Sequence, residues 1–329
     1  MTAASCSLVL ETHNLEGGGG DIAGGLVRVL GRLATQTRRL DTLADFVITH
    51  RGIDAAGRVA CEAAAGVPIR WLALGDEVGY YDAKNRGFDV ARGDVVVFAD
   101  ADCWPDPTWL ESLLLPFADP RVQAVAGRTT YRRDLLGTAA STIDFMYFPS
   151  PHGAGYTRNF YANNIAFRRD VFETRRFGQH EMYRGHCAVL GLDLHKARIP
   201  IVFAPAARTI HRFPDSVREL LKLRLMRGRD TYELTPQLGR ALASDLELPR
   251  LGPVVPLAVL GVRFGFSLRS INHQQMPVAR GLKKLAVAGA IAAMSAVDAV
   301  GAFAGGLRLM AAKPEAALSY HGDGDRLAA

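Results

Sequence analysis

Apolar and polar positions alternate in blocks through the first third of the chain. Residues 7–11 form an apolar run of strand length that ends in the polar group Thr12-His13-Asn14, and helical periodicity follows over residues 22–40. The same reasoning predicts strands over residues 45–49, 69–74 and 94–99, and a helix over residues 55–65. Strands that alternate with helices are typical of an α/β fold with a mostly parallel sheet flanked by helices.

The alternation ends beyond Gly127. Residues 145–161 carry six aromatic side chains among prolines and glycines, which predicts a functional loop region. Residues 216–229 combine apolar positions at helical spacing with Arg218, Lys222 and Arg229, the pattern of an amphipathic basic helix. Such a helix either packs on the domain or lies at a membrane surface.

The C-terminal part differs in composition. Residues 251–268 are apolar except for Arg263, and residues 285–307 are rich in Ala and Gly and apolar except for Asp298. Each run is near the ~20 residues that span a bilayer, but a central charge costs about 2.5–3.5 kcal/mol on insertion scales. Two interpretations stay open, namely membrane-associated helices or a pair of buried helices. The basic residues between the runs favour the cytoplasmic side of a membrane; they are Arg269, Arg280, Lys283 and Lys284.

These patterns divide the chain into four parts. Residues 1–215 are expected to form the α/β domain, and residues 216–250 the amphipathic basic helix and a linker. Residues 251–313 are expected to be the apolar helices, and residues 314–329 a flexible tail.

Composition narrows the class of protein. With 49% hydrophobic and 22% charged residues over 329 positions, the chain can bury a core, which excludes wholesale disorder and a disulfide-stapled miniprotein. The net charge of +6 equally suits anionic lipid or a phosphorylated substrate, and no nucleic-acid partner is expected. The four cysteines lack a CxxC pair, which argues against a zinc knuckle or a redox dithiol. The first residues lack the pattern of a secretory signal, so we expect a cytoplasmic location.

Candidate chemistry begins at Asp100-Ala101-Asp102, directly after the most apolar predicted strand. Open α/β sheets bind ligands at the carboxyl ends of their strands. Two carboxylates there suit a hard divalent ion, Mg²⁺ or Mn²⁺, that bridges a diphosphate. The alternative is a plain turn with a helix cap.

Several weak motifs stand around this pair in consistent order. A basic residue and an Asn (Lys84-Asn85-Arg86-Gly87) lead through Ala91-Arg92-Gly93-Asp94 into the strand, and Trp109-Leu110 follow it. Together with residues 7–14, 122–127, 162–169 and 203–211, this arrangement resembles the family 2 glycosyltransferases of the GT-A fold over roughly residues 5–215.

The resemblance implies an enzyme that moves a sugar from a nucleoside-diphosphate sugar to a hydroxyl acceptor, with a divalent metal ion, Mn²⁺ or Mg²⁺, and inversion at the transferred carbon. It implies that Asp100 contacts donor ribose or metal, that Asp102 holds the metal and that His211 is a second ligand. By the same resemblance Lys84 lies near the diphosphate, while Thr12 and Asn14 border the nucleotide. The structural alternatives are a packed histidine, a solvated helix charge and a plain turn.

The chain departs from the family pattern at two places. The second strand, which usually ends in an acidic pair that reads the base, ends here in Thr49-His50-Arg51. The Glu-Asp pair that carries the acceptor base in inverting members is replaced by His186-Cys187. We therefore expect His186 to be the base, because neutral imidazole accepts a proton near neutral pH. Glu181 and Asp193 are the carboxylate alternatives, and His186 could instead only cap a helix or pack.

Two other functions compete with this one. Residues 18–23 match the G-x-G-x-x-A pattern of dinucleotide-binding proteins, with Asp41 about twenty residues later, which would indicate an NAD(P)-dependent oxidoreductase. The missing Glu-Asp pair would also suit a degenerate glycosyltransferase that binds a sugar nucleotide without catalysis.

Overall fold

The computed structural model describes residues 4–18, 22–178, 185–242, 254–271 and 281–307. The strands are β1 (Cys6–Glu11), β2 (Asp45–His50), β3 (Arg70–Ala73), β4 (Val95–Asp100), β5 (Cys103–Pro105), β6 (Ala124–Thr130), β7 (Tyr156–Thr157), β8 (Asn164–Arg168) and β9 (Ile201–His211). The helices are α1 (Ile22–Ala34), α2 (Ala55–Ala65), α3 (Tyr80–Val90), α4 (Trp109–Leu114), α5 (Leu135–Asp144), α6 (Arg169–Thr174), α7 (His186–Lys196), α8 (Val217–Leu242), α9 (Val254–Ser270) and α10 (Leu282–Gly306). Short 3₁₀ turns lie at His13–Gly18, Leu40–Thr42 and Leu115–Ala118.

The strands form a single mixed sheet in the order β3-β2-β1-β4-β8-β6-β9-β5, with β7 paired to β9. The β3-β2-β1-β4 half is parallel throughout. The other half mixes directions, because β8 runs antiparallel to both β4 and β6 while β6 and β9 run parallel. Helices cover the sheet, and the predicted α/β architecture with a helical C-terminal part is confirmed.

The central strands β1 and β4 are buried along their whole length, as their apolar sequences predict. Their parallel register places Glu11 beside Asp100, and Glu11 also pairs with Thr49 of β2. The polar residues that end these strands therefore meet at one edge of the sheet.

Helix α1 ends at Ala34 and not at residue 40 as the periodicity predicts. The side chain of Gln36 explains the early end, because its Nε2 donates to the carbonyl of Asp106 at 2.8 Å and its Oε1 accepts from the amide of Leu110 at 3.0 Å. The amide of Thr37 donates to the carbonyl of Pro107 at 2.9 Å. These hydrogen bonds to a segment about seventy residues away end the helix, and no local pattern in the sequence predicts them.

Half of the six aromatic residues of the predicted loop region are buried in the core. Phe145, Tyr147 and Phe160 are buried, and the first two belong to an apolar cluster shared with Ile271 of the α9 end and Ile291 of α10. The region is irregular apart from β7, as expected, but its aromatic side chains join the C-terminal helices to the sheet domain.

Both charges in the apolar C-terminal runs face protein. Asp298 of α10 accepts two bonds from Arg224 of α8, at 2.7 and 2.6 Å, and Arg263 of α9 donates to the hydroxyl of Thr231 at 2.9 Å. Helices α8 and α10 approach closely at glycines, since a Cβ on Gly301 would lie 2.1 Å from the carbonyl oxygen of Leu225.

Among the described residues, one helix, Leu282–Gly306, is long and apolar enough to cross a bilayer, and 33% of its most apolar stretch is buried inside the protein. Length and composition of this kind are weak evidence for a span, because core helices share them.

Candidate active site

A cluster of polar side chains lies where β1 and β4 end. Asp100 is the last residue of β4, Asp102 follows in the turn, and Cys103 begins β5. Strand β5 pairs antiparallel with β9, which sets Cys103 opposite His211, the last residue of β9. The fold thus brings a residue from more than a hundred positions along the chain onto the DxD turn.

Asp100 is buried and held by side chains of this chain. Its Oδ1 accepts from Nζ of Lys84 at 2.5 Å, and its Oδ2 accepts from the hydroxyl of Tyr80 at 2.7 Å. Nδ2 of Asn14 also approaches Oδ2 at 3.4 Å. Because strong donors occupy both oxygens, Asp100 has less capacity for a further ligand than Asp102.

Asp102 faces His211. Nε2 of His211 lies 3.6 Å from Oδ2 of Asp102, while Nδ1 of the same ring lies 2.8 Å from the carbonyl oxygen of Arg212. A carbonyl can only accept, so Nδ1 donates to it and carries a proton. This leaves Nε2 as the ring nitrogen that could bind a metal ion.

The donor set fits a divalent ion. The ligand atoms of Asp100, Asp102, Cys103 and His211 all lie within 4.8 Å of one another. Burial, and after it the carboxylates of Asp102 and Asp100, raise the pKa of the Cys103 thiol well above its usual value. Carboxylate oxygens and an imidazole suit Mn²⁺, Mg²⁺ and other divalent ions.

Thr12 and Asn14 both lie at this edge of the sheet, with different partners. Nδ2 of Asn14 donates to Oδ1 of Asp102 at 3.3 Å as well as approaching Asp100. The hydroxyl of Thr12 donates to the carbonyl of Thr49 at 3.0 Å and ties β1 to β2. Asn14 therefore touches the DxD pair, whereas Thr12 supports the turn that carries Asn14.

Lys84 lies behind Asp100 and is fully buried. Besides the ion pair with Asp100, its ammonium donates to the carbonyl of Ala99 at 2.9 Å. The side chain is thus not a solvated helix charge, and its positive charge partly offsets the carboxylates of the site. Its place near a donor diphosphate stays a prediction.

His186 opens α7 and is buried, and its ring centroid lies 4.1 Å from that of Tyr81. Cys187 lies 3.4 Å from the Tyr81 hydroxyl, and burial raises the pKa of its thiol to about 11. Asp193, on the same helix, is exposed, and Glu181 lies outside the described residues. Tyr81 neighbours Tyr80, which bonds Asp100, so His186 is linked to the cluster through α3.

The divergent end of β2 is also buried. His50 packs edge-on against Trp71, with ring centroids 5.5 Å apart. Burial, and after it the charge of Arg58, lower the pKa of His50, which keeps the ring neutral. An uncharged ring therefore stands where the family pattern has carboxylates.

Three residues of the cluster were not predicted from the sequence. Tyr80 bonds Asp100, Glu11 is buried beside Asp100 in the β1–β4 register, and Cys103 faces His211. The position of Glu11, at the end of an apolar strand, could have indicated it. Tyr80 and Cys103 depend on pairings that only the tertiary structure shows.

Comparisons with known proteins find a family model that matches part of the chain. The family model "Glycosyl transferase family 2" matches residues 56–177, which include Lys84 and the DxD pair. This stretch of the chain is similar to glycosyltransferase family 2.

Curated relatives align with less than half of this chain. Glycosyltransferase AglE of Haloferax volcanii is 25% identical over 148 residues, which cover 44% of this chain and 49% of the relative. EpsH of Bacillus subtilis, a putative glycosyltransferase by name, is 24% identical over 149 residues, which cover 43% of each chain. The matched stretch thus spans about half the length of these relatives or less.

A solved structure shares the fold over nearly the whole chain. Mannosyltransferase PcManGT from Pyrobaculum calidifontis, in complex with GDP-Man and Mn²⁺, superposes with a TM-score of 0.58 and 16% identity, over 93% of this chain and 88% of that one. At this identity the likeness establishes the GT-A fold. The family match does not favour the oxidoreductase alternative, and residues 19–21 of its glycine pattern lie outside the described residues.

Proposed function

We propose that this chain transfers a glycosyl group from a nucleoside-diphosphate sugar to a hydroxyl acceptor, with inversion and with Mn²⁺ or Mg²⁺ bound at Asp102 and His211. The observation that carries the proposal is the gathering of Asp100, Asp102 and His211 within 4.8 Å at the carboxyl edge of the sheet, in a chain whose residues 56–177 match the family 2 model. Ligand sites of open α/β sheets lie at this edge.

Asp102 and His211 would hold the ion, since Asp102 is less occupied than Asp100 and His211 presents Nε2. A bound divalent ion supplies charge that neutralises a leaving diphosphate. Lys84, Tyr80 and Asn14 fix the Asp100 carboxylate from three directions. A carboxylate held in this way is oriented before the donor binds, which supports a role for Asp100 at the donor ribose or the ion.

A screen of nucleotide sugars by mass spectrometry tests the activity. Each donor is incubated with the full chain in Mn²⁺ and, separately, in excess chelator, and donor hydrolysis and transfer to added acceptors are followed. We expect one donor to be consumed in Mn²⁺ and to persist in chelator. No consumption and no binding of any donor would contradict the proposal.

The acceptor base in this proposal is His186. Its ring, at the start of α7 and against Tyr81, could accept a proton from an acceptor hydroxyl. His186→Ala should lower transfer by about 10²–10⁴-fold, the usual contribution of a positioned base, and leave donor and metal affinity unchanged. Glu181→Gln and Asp193→Asn are the matched variants. If one of them abolishes transfer while His186→Ala keeps it, a carboxylate is the base.

The second candidate is a protein that binds sugar nucleotides without catalysis. It is favoured by the burial of His186 and Cys187 at the position where inverting members carry Glu-Asp. Metal-dependent donor binding by calorimetry, without hydrolysis or transfer in the same screen, would establish this function.

We also propose that α10 attaches the protein to the cytoplasmic face of a membrane, with lipid as a partner. Its buried residues follow one helical face, through Ile291, Met294 and Asp298, whereas Leu285 and Phe303 are 69% and 47% exposed. The exposed basic residues Lys283, near the start of the helix, and Arg269, at the end of α9, suit anionic headgroups. Attachment by one face keeps Asp298 paired with Arg224, which a lone spanning helix would not.

Sedimentation with phosphatidylserine-containing vesicles tests the attachment. The full chain should pellet with the vesicles, and Leu285→Ser with Phe303→Ser should reduce the pelleted fraction. Leu115→Ser is the matched control, because Leu115 is 71% exposed but lies far along the chain from α10. Equal pelleting of all three proteins would contradict an attachment through α10.

A further inference from the structure

Cys103 is a buried thiol inside the metal-site cluster that the proposed reaction does not use. It is 3% exposed, and its Sγ lies 3.7 Å from Oδ1 of Asp102. The antiparallel register of β5 and β9 sets it directly opposite His211. The chain has three other cysteines, and all four are buried thiols. Among them, Cys103 is the one grouped with carboxylates and an imidazole.

The spacing of the donors suits one ion. Zn²⁺ binds sulfur at about 2.3 Å and nitrogen or oxygen at about 2.0–2.2 Å, so the ligand atoms around one such ion lie roughly 3.3–4.5 Å apart. The four ligand atoms here lie within 4.8 Å of one another. Rotamer adjustments of a few tenths of an ångström would place all of them in one coordination sphere.

The ligand atoms at this site include sulfur as well as the oxygen atoms that hard metal ions prefer. Oxygen ligands suit Mg²⁺ and Mn²⁺, whereas thiolate with imidazole suits Zn²⁺, Co²⁺ and other thiophilic ions. Asp100 is engaged by Lys84 and Tyr80, so Asp102, His211 and Cys103 form an oxygen, nitrogen and sulfur set.

We propose that Cys103 is a sulfur ligand that lets the Asp102–His211 site bind thiophilic divalent ions, in addition to the hard ion of the glycosyl transfer. The proposal rests on the metal site assigned under the proposed function. On binding, the S–H bond of Cys103 breaks, a bond from sulfur to the ion forms and the proton leaves to solvent. The thiol stays protonated and unligated when Mn²⁺ or Mg²⁺ occupies the site.

Cobalt titration of the full chain tests the sulfur ligand. Co²⁺ alone is added to the metal-free protein, and the near-ultraviolet absorption of sulfur-to-cobalt charge transfer is recorded with the affinity from calorimetry. We expect the absorption in the parent protein and in Cys61→Ser, whose thiol is buried against α1 and away from the cluster. We expect Cys103→Ala to lose it and to bind Co²⁺ about tenfold more weakly or worse, the loss that even outer-shell changes produce. Mn²⁺ affinity should stay within about twofold, because oxygen-preferring ions do not recruit the thiol.

The outcomes separate this proposal from the metal site itself. Co²⁺ that binds without the absorption, or an absorption that survives in Cys103→Ala, overturns the sulfur ligand and leaves the Asp102–His211 site intact. Neither Co²⁺ nor Mn²⁺ binding in the parent protein would overturn both. Loss of Co²⁺ binding in Asp102→Asn, together with loss of the absorption in Cys103→Ala, supports both.

Discussion

Two buried clusters of charged residues in this protein differ in how their acidic and basic groups are paired. The first, at the sheet edge, contains the carboxylates of Asp100 and Asp102, the ammonium of Lys84 and the imidazole of His211. The second, between α5, α8 and α10, contains the carboxylates of Asp144 and Asp298 and the guanidinium groups of Arg224 and Arg227. In the first cluster Asp100 is paired with Lys84 and Asp102 faces an imidazole, whereas in the second cluster each carboxylate is ion-paired with a guanidinium.

The difference indicates what each cluster is for. Buried charge without a counter-charge is costly, so a buried carboxylate that faces an imidazole suits a place where a cation binds. In the second cluster, burial alone would lower the pKa of Arg224, but Asp144 and Asp298 raise it, so the guanidinium stays charged. A cluster of matched charges leaves little capacity for a ligand and instead fixes how the helices pack.

The two clusters meet at Tyr131. Its hydroxyl donates to Oδ2 of Asp144 at 3.1 Å, and its ring centroid lies 5.6 Å from that of His211. An aromatic side chain thus connects the C-terminal helices to the metal site, and substitutions in each cluster can show how separate the two are.

The largest expected effect is that of Asp102→Asn on the metal site. Loss of an anionic ligand should weaken Mn²⁺ binding and metal-dependent turnover by about 10²-fold, which corresponds to ~3 kcal/mol. The free energy of unfolding should stay equal or rise, because the variant removes charge from an acid-rich cluster. Calorimetry with Mn²⁺ and urea denaturation measure the two quantities. A variant that is destabilised but binds Mn²⁺ normally would show that the sheet-edge cluster stabilises the fold and does not bind the ion.

Arg224→Met should have the opposite profile. Removing one partner of a buried ion pair typically costs about 3–5 kcal/mol, because the remaining charge is left uncompensated. Urea denaturation should show this loss while Mn²⁺ affinity stays within about threefold. Arg121→Met is the control, since Arg121 pairs with Asp119 at the exposed surface and its loss should have little effect. Equal stabilities of the two variants would show that the Arg224 cluster does not hold the helices.

Gly301→Ala tests the close approach of α8 and α10 with a smaller effect. The added Cβ would lie 2.1 Å from the carbonyl oxygen of Leu225, so the helices must separate, at about 1–3 kcal/mol. Gly289→Ala on the same helix meets nothing within 4 Å and should stabilise by up to ~1 kcal/mol through helix propensity. Thermal unfolding of both variants checks the contrast. A stabilised Gly301→Ala would exclude close packing there.

The smallest effect is the acid sensitivity of the paired cluster. Burial alone would raise the pKa of Asp144, but Arg224 and Arg227 outweigh it and lower the pKa below the unfolded value near ~3.9. The stabilisation is therefore present above about pH 4 and is lost as the pH falls through the folded pKa. The stability difference between the parent chain and Asp144→Asn should be constant from about pH 7 to 5 and shrink below pH 4. A difference that grows on acidification would mean a raised pKa.

Local pattern in the sequence predicted the parallel half of the sheet, β1 to β4, and helices α1 and α2. Helix α2 was predicted at its observed bounds, and β4 was displaced by one residue. The DxD pair was found because it follows an apolar strand, and His211 because of its place in a family resemblance. Each of these predictions depends on residues that are close together in the sequence or on the order of motifs along the chain.

The end of α1, the partners of Asp298 and the place of Cys103 could be decided only by the tertiary structure. Gln36 bonds a segment seventy residues away, and Asp298 finds Arg224 at a separation of 74 residues. The sequence alone could not show whether the C-terminal helices are membrane-associated or buried in the protein, because an apolar run of this length is compatible with both. The answer depends on whether the charge in each helix has a partner in the protein. Apolar periodicity records which side of an element is buried, whereas the pairing of buried charges depends on which distant elements share that side.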